Sequence, residues 1–137
     1  MGVVLGILML PGLAGEMPGP VAEGYVRGYA SAYALGVMDA TVRYRLDNDV
    51  WRVDPPIDWY TAVGYVATND CSQVGSMATL VGPDGWEYRV LVADCGGADG
   101  GAEWMTRHNI VVELDWRLWE ALTARHGRPL AVELRGW

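Results

Sequence analysis

The chain contains no Phe and no Lys, and only two Cys. It also has no internal repeat, no block of like charge, and no apolar run long enough to cross a membrane as a helix. Each absence excludes something. With all ten basic residues Arg and a net charge of -7, the chain lacks the basic face that displaces counterions from phosphates, so nucleic acid is not an expected partner. The same balance argues against docking on an anionic membrane surface. Two Cys exclude a disulfide-dense scaffold but leave room for one bridge. What is present is a 137-residue chain, 51% hydrophobic and 20% charged, which suits one folded domain with one core. Its aromatic content is seven Trp and seven Tyr.

Residues 3–14 read VVLGILMLPGLA, an apolar stretch short of the roughly 20 residues that a membrane-spanning helix needs. It resembles the apolar region of a secretory signal, with Gly12 and Ala14 as small residues ahead of a cut, although the first basic residue is Arg27. The other reading is a short apolar arm that packs on the domain or on a neighbouring copy. GEMPGP follows as a Gly/Pro linker. The expected division is therefore an amino-terminal segment over residues 1–20 and a folded domain over residues 21–137, with no stable membrane insertion.

Six strand patterns follow: residues 28–33 (GYASAY), 62–68 (AVGYVAT), 76–81 (SMATLV), 86–94 (WEYRVLVAD), 110–114 (IVVEL) and 130–134 (LAVEL). Gly82-Pro83-Asp84-Gly85 is a strong turn between the third and fourth. Asp115 can cap a helix whose apolar side is Trp116, Leu118, Trp119, Leu122 and Ala124, closed by His126-Gly127 and stopped by Pro129. A weaker helix is expected over residues 37–46. Residues 47–59, with DND and a Pro-Pro pair, read as a surface excursion, and residues 95–103 (CGGADGGAE) read as a loop.

In that order the segments resemble the double-psi β-barrel domains of rare lipoprotein A, the expansins, barwin-like proteins and small barrel-type endoglucanases. GYASAY is similar to the family's opening Gly-x-Ala-Ser-x-Tyr strand. NDCSQVGSMATLV is similar to its turn-Gly-strand segment, WEYRVLVADCGG to the long strand ending in Asp and a Gly loop, IVVELDWRLWEAL to its acidic-Leu-x-helix element, and RPLAVEL to its closing strand. The match covers about the last 110 residues. It implies a mostly β fold: a six-stranded double-psi β-barrel with one well-defined helix before the last strand and a weaker helix after the first.

The resemblance also implies a site. Asp94 ends an apolar strand and begins the Gly-rich stretch, where a carboxylate beside apolar walls can hold a proton and act as a general acid. In the wall-lytic and endoglucanase branches an Asp at this place is functional, so the resemblance gives Asp94 the proton-donating role and Glu113 that of the second acid, with Asp115 at the helix cap. The ordinary reading of each is a loop acceptor, an outward strand residue and an N-cap. Rare lipoprotein A carries a His before the turn Gly, and an Arg and a Pro after the strand-end Asp. Those positions here are Asn69, Cys95 and Gly97. Of the set that cleaves glycan, whether as a hydrolase or as a lytic transglycosylase using Asp94, only the Asp is present, so the expectation is binding with weak or no cleavage.

If the chain is exported, Cys71 and Cys95 form one disulfide. No signature supports a Cys nucleophile with His108 or His126, and the spacing fits no zinc finger. No metal and no cofactor are expected. Trp104, after the Gly-rich stretch, and Trp86, after the turn, are candidates for stacking on sugar faces beside Asp94, because indole rings are flat, rigid and partly polar. The candidate substrate-binding set is thus Trp104, Trp86, Asn69 and Asp115. The leading expectation is a secreted or cell-surface domain that binds peptidoglycan or another polysaccharide. The alternative is a structural or assembly protein whose apolar arm and Trp residues form subunit interfaces, so self-association is left open.

Overall fold

A computed structural model describes residues 19–22, 24–96 and 101–137, with side chains for 24–96 and 103–137. The expected apolar arm and Gly97 lie outside the described residues. The elements in order are β1 (Gly19–Ala22), β2 (Tyr25–Ala32), α1 (Val37–Asn48), a 3-10 turn (Trp59–Thr61), β3 (Gly64–Thr68), a second 3-10 turn (Cys71–Gln73), β4 (Met77–Val81), β5 (Glu87–Cys95), α2 (Gly101–Arg107), β6 (Ile110–Leu114), α3 (Trp116–His126) and β7 (Leu130–Arg135).

Strands β2 to β7 close into a six-stranded barrel. The order around the ring is β2-β6-β3-β5-β4-β7, and β7 pairs back onto β2. The β2–β6 and β3–β5 pairs are parallel and the other four antiparallel, so the barrel is mixed. Closure leaves no free edge among these six strands, which removes the usual route to edge-to-edge aggregation. The period-two alternation of the sequence fills the barrel: Val90 and Val92, Val112 and Leu114, and Leu130, Val132 and Leu134 join Val66 and Leu80 in one buried cluster. Leu118 and Leu122, one turn apart on α3, pack against it. Each fully buried Leu or Val contributes roughly 1.5–3 kcal/mol relative to exposure.

A second, smaller cluster lies outside the barrel wall. Met38 and Val42 of α1 cover Ala67 and Ala93, with Tyr33, Trp51, Trp59 and Tyr65 packed around them. Trp51 and Trp59 thus hold the excursion against the wall, while Trp119 and Trp137 pack on the main core. The excursion is also fixed by its backbone, since the N–H groups of Arg52 and Val53 both donate to the Val74 carbonyl. This approach needs Gly75, whose φ is +115° and where any Cβ would collide with the Val53 carbonyl.

Two elements differ from the sequence reading. The end of the Gly/Pro stretch forms β1, which pairs with the start of β2. Gly101–Arg107 is helical although the Gly-rich run to residue 103 reads as a loop. There a tertiary contact outweighs weak local propensity, because Met105 is buried against Gly96.

Candidate functional site

The site is built from a row of residues across four neighbouring strands. Ser31 of β2 is the register partner of Glu113 in β6, Glu113 of Ala67 in β3, and Ala67 of Asp94 in β5. Three members face outward by simple alternation, because Ala30, Val66, Val112 and Leu114 point into the barrel. Asp94 does not. Val92 points inward and Ala93 outward, so unbroken alternation would aim Asp94 into the core. A bulge prevents this: Val66 pairs with Val92 and Ala67 with Asp94, which makes Ala93 the extra residue and returns Asp94 to the outer face.

On that face Asp94 is closely held. Its Oδ1 accepts from Arg45 Nη2 at 2.8 Å, and its Oδ2 accepts from the Tyr33 hydroxyl at 3.1 Å. Arg45 comes from α1 and is itself fixed, donating through Nε to the Ala93 carbonyl at 2.8 Å and through Nη1 to the Val50 carbonyl at 2.9 Å. Tyr33 lies within reach of both acids. Burial pushes its hydroxyl well above the usual tyrosine range, and the charges of Asp94 and Glu113 push it further, against the opposing pull of Arg45.

Glu113 is half-buried and has much weaker support. Its Oε2 accepts from Ser31 Oγ at 3.2 Å. Burial raises its pKa above the ordinary Glu value, the Ser31 bond opposes this, and the Asp94 charge adds to it. A Cβ placed on Gly96 would stand 3.4 Å from Glu113 Oε1 and 3.7 Å from Asn69 Oδ1, so both polar atoms border the Gly96 backbone. The Cys71–Cys95 disulfide, with Cα atoms 5.0 Å apart, ties the segment after Asn69 to the end of β5. The Gly96 N–H donates to the Thr68 carbonyl at 2.8 Å and continues that junction.

The structure therefore brings Asp94, Glu113 and Asn69 together at one end of the barrel. Trp104 is next in the chain to the Met105 that touches Gly96; it is exposed on α2 and lies tilted against His108, with ring centroids 4.7 Å apart. Trp86 is not near Asp94, Glu113 and Asn69. It precedes β5 whereas Asp94 is the last residue but one of that strand, about 26 Å of strand away at 3.3 Å per residue. Its ring is covered by Arg125, 4.1 Å from the centroid. Asp115 is also set apart. It is buried, and caps α3 through the Leu118 N–H while accepting from the Tyr65 N–H at 2.6 Å. It borders a shallow surface dip with Leu35, Asp39 and Trp116 rather than the face that holds Glu113.

Arg45, Tyr33 and Ser31 are site residues that the sequence reading did not single out. Ser31 and Tyr33 belong to the opening strand segment, where position relative to Glu113 was the missing information. Nothing local marks Arg45, which lies 49 positions from Asp94. The disulfide occupies both Cys, so neither is a nucleophile or a metal ligand. Among the described residues no group of three or more His, Cys, Asp or Glu could hold a metal ion. In comparison with known proteins, the chain matches no family model, no curated protein and no solved structure.

Proposed function

We infer that this chain is an exported domain of the double-psi β-barrel kind that binds peptidoglycan or another polysaccharide on the face formed by Asp94, Glu113 and Asn69, with Trp104 at its flank. The observation that carries the reading is the convergence of these residues at one end of the barrel, with the bulge at Ala93 turning Asp94 out of the core. The mixed closed barrel, with helices after the first barrel strand and before the last, supports the family resemblance. The disulfide supports an oxidising compartment. No helix among the described residues is long and apolar enough to cross a membrane, which is compatible with that location. Binding without cleavage is the preferred form, because only the Asp of the wall-lytic set is present.

The test is retention on insoluble peptidoglycan, cellulose and chitin, with release of soluble sugar followed in parallel. Retention on one matrix without release fits the reading. Absence of retention on all three defeats it, and sustained sugar release would replace binding by catalysis.

A second reading has its own support. Ile57, Tyr60 and Val63 are exposed along one short segment, with Ile57 95% accessible. Exposed apolar side chains of this kind favour a subunit interface. Discrete oligomers in size-exclusion chromatography that dissociate on Ile57→Asp would favour assembly.

A further inference from the structure

We propose that the site divides its two acids by role: Glu113 is the group that donates a hydrogen bond to an oxygen of a neutral sugar, and Asp94 is the fixed anion beside it. This rests on the glycan-binding reading above. The two carboxyls have unequal partners. Asp94 has a guanidinium on one oxygen and a phenol hydroxyl on the other. Glu113 has one long bond from a serine hydroxyl and no cation. Both side chains leave the backbone on the same outer face, one strand apart on either side of Ala67, so a charge on one is felt by the other.

The groups that face Glu113 are Ser31 and Tyr33 from β2 and the turn after it, Asp94 from β5, and Asn69 after β3. α2 contributes the apolar Met105 beside it. Arg45, the nearby cation from α1, is spent on Asp94, Ala93 and Val50. Within this set only the Ser31 bond favours a second anion, whereas burial and the Asp94 charge both favour the protonated carboxyl. A protonated carboxyl is both donor and acceptor, like an amide side chain. Beside Asn69 it makes a pair of groups suited to sugar hydroxyls, which also donate and accept. This reverses the roles implied by the family resemblance, in which Asp94 carries the proton.

The experiment pairs two measurements on the disulfide-intact protein. The first is a carboxyl-carbon NMR titration of Glu113 in the wild type, Ser31→Ala and Asp94→Asn. The expected midpoint is above the ordinary Glu value, rises in Ser31→Ala, where a bond to the carboxylate is lost, and falls in Asp94→Asn, where a neighbouring charge is lost. The second is retention on the matrix that binds, as a function of pH. Wild-type retention should fall about tenfold as pH rises through that midpoint, the size expected for loss of one hydrogen bond to a charged or strongly polar group. Glu113→Gln, which stays neutral and keeps a donor, should retain binding with the limb removed, and Ser31→Ala should move the limb to higher pH.

Retention that persists with the same limb in Glu113→Gln overturns the division of roles and leaves glycan binding intact. Absence of retention at every pH defeats the glycan reading itself. The NMR result then decides the ionisation, and a Glu113 midpoint at or below the ordinary Glu value overturns it.

Discussion

Glu113 and Asp94 are both register partners of Ala67, one from each side of β3. With strands about 4.8 Å apart, their backbones stand about 10 Å from each other across a buried methyl group. The two acids reached this arrangement differently. Glu113 follows from alternation along β6, whereas Asp94 depends on one extra residue in β5. Tyr33 senses both charges, so the three groups form one electrostatic unit whose other members are Arg45 and Ser31.

Arg45 should matter for stability as well as for the site. Its guanidinium makes three bonds and is 19% exposed, so Arg45→Met leaves Asp94 and two carbonyls without it. The expected loss is about 2–3 kcal/mol in urea unfolding, less than for a wholly buried pair. In a double-mutant cycle with Asp94→Asn the losses should be non-additive by at least about 0.5 kcal/mol. Additive losses would mean that the ion pair contributes nothing beyond packing.

The Cys71–Cys95 bridge closes a separation of 24 residues. On the loop-entropy account it stabilises by roughly 3.5 kcal/mol. Thermal melts with and without a dithiol reductant should differ accordingly, and denatured, unreduced protein should show no reactive thiol. Two free thiols in that assay would contradict the bridge.

Gly75→Ala is expected to be among the most damaging single-methyl changes in the chain. The backbone is at positive φ, and the added carbon meets the Val53 carbonyl. Overpacking and the conformational penalty together should cost at least about 3 kcal/mol. Limited proteolysis should then cut first within residues 49–63, since the excursion loses its anchor on Val74.

Asp115→Ala separates structure from function. It removes the α3 cap and orphans the part-buried Tyr65 N–H, for a combined loss of about 2–3 kcal/mol. At temperatures where the variant is folded, glycan retention should match the wild type, because Asp115 does not share the Glu113 face. Selective loss of binding in a fully folded variant would return Asp115 to the site.

Alkaline pH should destabilise the fold through Tyr25 and Tyr33. Burial raises both, and Tyr25 is pushed up to about 12 from 10.0 by burial and by Glu133. The folded state therefore keeps protons that the unfolded chain releases. The stability they contribute is present below pH about 10 and is lost as pH rises through their folded values. Urea midpoints across this window should fall less steeply in Tyr33→Phe. An unchanged slope would show that Tyr33 is not among the groups responsible.

The six barrel strands, the Asp115 cap and the α3 helix are legible in the sequence because each is a local matter: alternation, a capping oxygen, and a Gly-x-Pro stop are carried by residues a few positions apart. The two Cys are legible as one bridge for the simpler reason that there are only two. The tertiary structure alone decided what depends on register. It set Asp94 level with Glu113 through a bulge that no dipeptide announces, and it brought Ser31 and Arg45 to acids 82 and 49 positions away. It separated Trp86 from Asp94, since two residues near opposite ends of one strand cannot share a site. It also made a helix of a Gly-rich segment by burying Met105. Pattern fixes which face a residue shows within its own strand only while the alternation is unbroken, and Asp94 lies beyond a break. Only closure of the ring fixes which residues stand beside a given one on the next strand.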